Sequence, residues 1–494
     1  MSKKQKNRAQ KEKIKRREKE QQLSLQKKEK RKKTLKISLI AFAALCVVLA
    51  IAAVIALIID SSGIKQRNQV FLKTDHFSVN GSMMSYFIYE SYNSFKEYYG
   101  QYLSTFLKPE EDLKTQNCPY ATEEMGTGSK TWFDYMCHDA ETSATTLIKA
   151  CELAALNGIS LSEEDLNAIN IRAKETDLSS VGHGVNRNDV ADCLKLKVLA
   201  YKYISTLTDD ISVSEEEIDT YYSEHRDAYD VLEYLYVTYS YTSETREAMS
   251  KRIETLSASK NRNEFITRLR NYYSSDNAED IDKALENNVF SVTKSNNQLT
   301  EDIVEWLFSA KQYDYRILET KDSNDETKGT YTLYFVSSEP TPDVSATKNV
   351  RHILFDSSEY GSAENAEKIA RSVYDKFKSN PTVGFFNELV CAYSSDPGSV
   401  VNGGLYSNVK EKAMVQSFND WSFDEARKVG DTDIISSSYG FHIVYFEGEG
   451  LPSYKGDIYS VLYKEKYDTK LEGITDSVSV ERNKEALNSI NGKF

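Results

Sequence analysis

The run "VRHILFD" (residues 350–356) reads as a buried strand, and "LEYLYVT" (residues 232–238) reads as a copy of it, with Tyr234 standing where the other has His352. Three more pairs follow in the same order. "EFITRLRNYYSSD" meets "GFFNELVCAYSSD", "EDIVEWLFSAKQYD" meets "SFNDWSFDEARKVGD", and "YTLYFV" meets "HIVYFE". Constant order at near-constant spacing defines an internal repeat of about 115 residues, with short β-rich runs alternating with helices. Between the copies, "SSEPTPDVSATKN" has two prolines and little to bury, which suits a linker.

Upstream of the repeat the texture is helical. "TWFDYMCHDAETSATTLIKACELAALNG" places Trp132, Met136, Ala140, Leu147, Cys151 and Ala154 on one face and stops at Gly158. Ser162 opens another helix, and Ser214 with Glu217 forms a capping box before "IDTYY". "MSYFIYESYNSFKEYYGQYLSTFL" reads as one helix, aromatic nearly all round, so it is either buried or a sticky surface.

Residues 1–36 hold 17 Lys/Arg and 4 Asp/Glu with no aromatic residue, a solvated basic tail. Residues 37–59, "ISLIAFAALCVVLAIAAVIALII", carry no charge and read as one transmembrane helix, too long and too evenly apolar for a signal peptide. Cys46 within it is a plain membrane cysteine. The basic tail predicts a single-pass cell-membrane protein with a cytoplasmic N-terminus and the bulk of the chain extracytoplasmic.

Beyond the tail, 45 basic groups face 71 acidic ones, a surface that repels nucleic acid. Five scattered cysteines (Cys118, Cys137, Cys151, Cys193, Cys391) make no disulfide framework, although the expected compartment leaves one bridge open, and Cys137 and Cys151 read as core residues. "GTGSKT" at Gly126 superficially resembles a phosphate loop but lacks a glycine before Lys130 and a strand upstream. His76, His138, His183 and His225 show no metal-ligand spacing, so neither metal nor cofactor is expected.

Four motifs in order, "RHILF", "FFNELVCAYSSDPGSVVNGG", "MVQSFNDWSF" and "YGFHIVYF", make residues 349–448 resemble the parvulin family of peptidyl-prolyl isomerases. The resemblance implies a four-stranded antiparallel sheet wrapped by helices. It places His352 and His442 on neighbouring central strands, hydrogen-bonded to each other, with Asp396 near the rotating carbonyl as a third catalytic residue. Met414 and Phe418, four apart on a helix turn, would seat the prolyl ring. After Gly403 and Gly404, "LYSNV" departs from the D-L-G-W-F common in bacterial parvulins, and the loop "DSSEYGSAE" has no Lys/Arg cluster for a phosphorylated substrate.

In the first copy, Tyr234 and Tyr331 replace the histidines, and Leu299 and Ile303 replace Met414 and Phe418. Asp276 keeps its type, and Trp306 and Phe308 recur as Trp421 and Phe423. This copy is expected to fold without an active site. The fold class is thus α+β multidomain: tail 1–36, membrane helix 37–59, helical chaperone-like lobe 60–228, degenerate parvulin-like domain 229–338, linker 339–348, parvulin domain 349–448, and a C-terminal helical segment 449–494 that could return to the lobe. The whole order resembles the PrsA-like and SurA-like extracytoplasmic foldases, which implies unfolded or newly translocated polypeptides with X-Pro bonds as partners, the membrane as a second partner and no nucleic acid. Monomer and homodimer both stay open, as do a holdase or an envelope scaffold with a vestigial isomerase site.

Overall fold

The structure, a computed structural model, describes residues 62–494 except 183, 273–284, 286–288 and 295–297, together with some positions among the first 54. Of the expected membrane span, it describes Phe42 and residues 45–54, helical and exposed. At about 1.5 Å per residue the stretch 45–54 is about 15 Å long, half of a hydrocarbon layer of about 30 Å. Among the described residues no helix is long and apolar enough to cross a membrane, so the expected span is not found there. The rest of that segment, most of the basic tail, and Asp276 lie outside the described residues.

The chain divides into two compact units, one of residues 1–148, 178–193 and 480–494, the other of residues 149–177 and 194–479. In the first, β1 (Val70–Lys73) pairs with β2 (Ser78–Asn80) and with a C-terminal strand at Glu481–Arg482, all antiparallel. Helix α1 (Gly81–Tyr99) begins where the Asn80 side chain accepts from the amides of Ser82 and Met83. Its first half is buried, through Met84, Phe87 and Ile88, while Tyr98 is exposed. The aromatic run is not one helix, because Gly100, at φ 49 and ψ −121, ends α1 and the chain continues as a 3₁₀ turn (Gly100–Thr105). Along α2 (Trp132–Leu156) all six residues read as its apolar stripe are buried, and Gly158 follows at φ 72. Along the chain follow α3 (Glu163–Glu175), α4 (Arg187–Thr208) and α5 (Glu215–Tyr229), of which α3 and α5 belong to the second unit and are each opened by a capping box.

The second unit contains both copies of the repeat. The first runs β3 (Asp230–Tyr241), α6 (Arg246–Ser257), α7 (Arg262–Arg270), β4 (Val289–Val292), α8 (Glu301–Ser309), β5 (Tyr315–Lys321), β6 (Gly329–Val336). A two-residue strand β7 (Thr341–Pro342), inside the stretch read as a linker, pairs with β3. The second copy runs β8 (Thr347–Asp356), α9 (Ala363–Ser379), α10 (Val383–Tyr393), β9 (Leu405–Lys410), α11 (Gln416–Ser422), β10 (Thr432–Ser437), β11 (Gly440–Glu449). Both sheets are antiparallel and share one strand path, β4-β3-β6-β5 and β9-β8-β11-β10. A last helix, α12 (Ser453–Ser477), packs on α5, with Lys455 between Glu215 and Asp219 and the rings of Tyr222 and Tyr454 4.8 Å apart.

Strand alternation divides each sheet into two buried faces. In the second copy Ile353, Phe355 and Ile443 pack under α9 and α10, while Val350, Val444 and Phe446 pack with Phe418 and Trp421 of α11. Register corrects one expected correspondence. His352 lies opposite Val444 and Tyr234 opposite Val336, so the residue matching His442 is Tyr334. Tyr331 is three residues away and packs on the opposite face, because an odd shift along a strand reverses the side.

A turn at Gly403–Gly404 brings β9 alongside β8. Gly404 has φ 75, and a Cβ there would stand 2.2 Å from the carbonyl oxygen of His352. Gly404→Ala is therefore expected to destabilise the chain by about 2 to 4 kcal/mol, through the left-handed backbone and the clash together. Gly473→Ala, in an open position of α12, should instead stabilise it by about 0.5 to 1 kcal/mol. Urea midpoints compare the two, and a neutral Gly404→Ala would remove the steric argument.

Candidate active site

The site is built outward from the two central strands of the second sheet. His442 lies opposite Leu354 and His352 opposite Val444, so the imidazoles sit on one diagonal of one face. Their rings are nearly parallel, 17° apart, and Nδ1 of His352 is 3.0 Å from Nδ1 of His442. Nε2 of His352 is 2.8 Å from Oδ2 of Asp396, and Nε2 of His442 is 2.7 Å from the Ser437 hydroxyl. The set closes with Nε2–H of His352 on the carboxylate, Nδ1–H of His442 on Nδ1 of His352, and the Ser437 hydroxyl on Nε2 of His442.

Asp396 is the most heavily bonded member. It also accepts from the Ser399 hydroxyl, from the Tyr406 hydroxyl at 3.0 Å, and at its other oxygen from the amide of Gly398 at 3.1 Å. Burial works to raise its carboxyl, but the hydrogen bond and attraction of His352, with Ser399 and the Gly398 amide, hold it well below the usual carboxylate range. Burial, then the negative charge of Asp396, pushes the Tyr406 phenol up, so it remains a donor.

Above the polar row lies an apolar one. Phe418 sets its ring edge to both imidazoles, with centroids 5.8 and 6.1 Å away, and packs with Val350, Val444 and Trp421. Met414 is half-buried against the same cluster. It lies in the bend before α11 and not on the helix, since α11 begins at Gln416. The structure thus brings His352, His442 and Asp396 into direct contact, places Phe418 on the histidines, and puts Met414 at the edge of that cluster.

Four contributors were not singled out from the sequence. Tyr406 comes from the departure "LYSNV", Ser399 from the turn after Asp396, and Ser437 from a run of three serines whose facing only strand register decides. Arg351 pairs with Glu447 through two nitrogens and donates to the carbonyls of Asn402 and Gly403, holding the glycine turn. Its signal was its place beside His352. A cavity of about 460 Å³ lies elsewhere, lined by Ile218, Leu405, Ser407 and Tyr459 among others, and includes none of the five candidate residues.

The "GTGSKT" loop is closed by the protein itself. The amides and hydroxyls of Thr127 and Thr131 all donate to the buried carboxylate of Asp134, so a side chain occupies the place a phosphate would need.

Burial, and next the neighbouring His352, pushes His442 down to about 3 against the opposing pull of Asp396. An unfolded histidine takes up its proton near 6.5, so between roughly 6.5 and 3 the unfolded chain binds more protons and stability falls as pH falls, by up to about 1.4 kcal/mol per unit. Asp396 adds a contribution present above its unfolded value near 3.9 and lost as pH drops through its lower folded value. His442→Asn should flatten the decline between pH 6.5 and 4.5 in urea unfolding. An unchanged slope would assign the decline to other groups.

Residues 334–448 match the family model described as the PPIC-type PPIase domain. Two curated relatives are each named Chaperone SurA, from Pseudomonas putida (31% identical over 129 residues, 25% of this chain and 29% of that one) and Pseudomonas aeruginosa (32% over 133 residues, 25% and 30%). The match thus spans less than a third of those relatives' length. Among solved structures, PrsA of Bacillus anthracis is 22% identical over 27% of this chain and 59% of its own, and PrsA of Bacillus cereus 17% identical over 63% and 93%, each with a TM-score of 0.19, too low to argue from. From the family match together with the histidine pair on the central strands, residues 334–448 belong to the PPIC-type, or parvulin, family of peptidyl-prolyl isomerase domains.

Proposed function

We propose that this chain is a peptidyl-prolyl cis-trans isomerase and folding chaperone acting on secreted or surface polypeptides outside the cytoplasmic membrane. Residues 37–59 serve as its anchor and the basic tail stays inside. The observation that carries the isomerase reading is the hydrogen-bonded row Tyr406–Asp396–His352–His442–Ser437, with both histidines buried, beneath an apolar edge formed by Phe418 and Met414.

The barrier to X-Pro rotation, about 18 to 20 kcal/mol, is the loss of amide resonance. Resonance puts negative charge on the carbonyl oxygen. A fixed carboxylate nearby disfavours that form and so favours the twisted, less conjugated bond. In this reading Asp396 supplies the field, His352 and His442 hold its orientation, and Met414 and Phe418 seat the pyrrolidine ring and exclude water. No covalent step is needed. In the first sheet, rings take the corresponding space, with Tyr234 stacked on Phe290 at 5.6 Å and close to Tyr334 and Ile303, so that copy is proposed to be non-catalytic.

The full chain should accelerate isomerisation of an X-Pro tetrapeptide, and His352→Ala and Met414→Ala should each lower kcat/KM by about tenfold or more with circular dichroism unchanged. A folded wild type that gives no acceleration yet suppresses aggregation of an unfolded client would replace the isomerase reading with a holdase.

A further inference from the structure

Helix α3 lies far upstream of the isomerase domain, yet its side chains are built into it. Ala168 is fully buried in one cluster with Ile353, Phe386 and Tyr393, and Ile171 packs against the same cluster. Near the start of α3, Glu164 accepts from Lys376 Nζ at 2.5 Å and from the Tyr393 hydroxyl. Near its end, Arg172 Nη2 reaches Oε2 of Glu359 at 2.8 Å across 187 residues of sequence. Beyond it, a Cβ on Gly361, at φ 81, would come 3.2 Å from Oε2 of Glu175. Positions 164, 168, 171, 172 and 175 follow helical spacing, so one face of α3 makes all of these contacts.

The contact at Arg172 leads to the site. The same Oε2 of Glu359 accepts from the hydroxyl of Ser395 at 2.9 Å, and Ser395 immediately precedes Asp396. The Ser395 amide donates to the carbonyl of Leu354 at 2.8 Å, while the Ser394 hydroxyl accepts from the amides of Leu354 and Asp396. The run 394–396 is therefore stitched to β8 two residues past His352, and the outer end of that stitch is Glu359. The Arg172 side chain is 9% exposed, whereas that of Glu359 is 41% exposed. The guanidinium is thus the fixed partner, and without it the carboxylate is free to turn to water and release Ser395.

We propose that Arg172 is a positioning residue of the isomerase site, acting through Glu359 and Ser395 on the backbone that carries Asp396. Helix α3 is then a working part of the isomerase domain. This rests on the isomerase reading for its consequence, not for its geometry.

The test uses the full chain, labelled with ¹⁵N-histidine, in the variants Arg172→Met, Glu359→Gln, the charge-exchanged pair Arg172→Glu with Glu359→Arg, and Lys376→Met. For Arg172→Met and Glu359→Gln, kcat on an X-Pro tetrapeptide should fall about five- to twentyfold with KM within about twofold, since misplaced groups lose rate more than affinity. The ring signals of His352 and His442 should move, the exchanged pair should recover part of the loss, and Lys376→Met, which cuts the other docking contact, should change neither readout. Folded Arg172→Met with wild-type kcat and unmoved ring signals would overturn the proposal. If the wild type shows no isomerisation, the isomerase reading fails while the ring signals still decide the positioning. If Arg172→Met does not fold, the half-exposed Glu359→Gln decides in its place.

Discussion

The hydrogen bond between Nδ1 of His352 and Nδ1 of His442 joins the two central strands of the second sheet on one face, and the remaining site residues are arranged around it. It requires β8 and β11 to be in one register, because a slip of one residue would send each imidazole to the opposite side. That register is supported from both faces. Ile353 and Ile443 are fully buried against α9 and α10, and Val350 and Val444 against α11. A register that buries six apolar and aromatic side chains, Val350, Ile353, Phe355, Ile443, Val444 and Phe446, cannot move to suit two polar ones, so the histidines are held where packing puts them. Burial then requires that they be hydrogen-bonded, and Asp396 and Ser437 close the two ends of the row.

The same constraint bears on how the two copies differ while sharing one strand path. The positions of His352 and His442 are taken in the first sheet by Tyr234 and Tyr334, both buried, with ring centroids 6.0 Å apart. Tyrosine suits a strand and fills the volume of an imidazole with its surroundings, so the sheet persists while the polar row does not. Phe290 of β4 stacks on Tyr234, whereas in the second sheet β9 contributes Tyr406, whose hydroxyl turns to Asp396. One edge strand supplies packing and the other supplies a donor.

Long-range contacts also decide what counts as the domain. The family match covers residues 334–448, but the hydrophobic cluster under that sheet includes Ala168 and is flanked by Ile171 and Tyr201. The loop before Asp396 is tied through Glu359 to Arg172. A segment defined by sequence similarity is therefore smaller than the segment that packs as one body.

The sequence by itself determined the repeat, the helix stop at Gly158, the helix start at Ser162 and the capping box at Ser214, because these are set by local periodicity and backbone preference. It also brought His352, Asp396, His442, Met414 and Phe418 forward as a set, through four motifs in order. What it could not supply was facing and partnership. The true counterpart of His442 is Tyr334 and not Tyr331, since pairing across strands, not similarity along them, decides the side. The aromatic helix breaks at Gly100 because of a backbone angle invisible in an apolar pattern. Ser399, Tyr406, Ser437 and Arg172 became legible only once the fold set their side chains beside Asp396, His442 and Glu359, because a hydrogen bond between distant residues leaves no periodic mark in either segment.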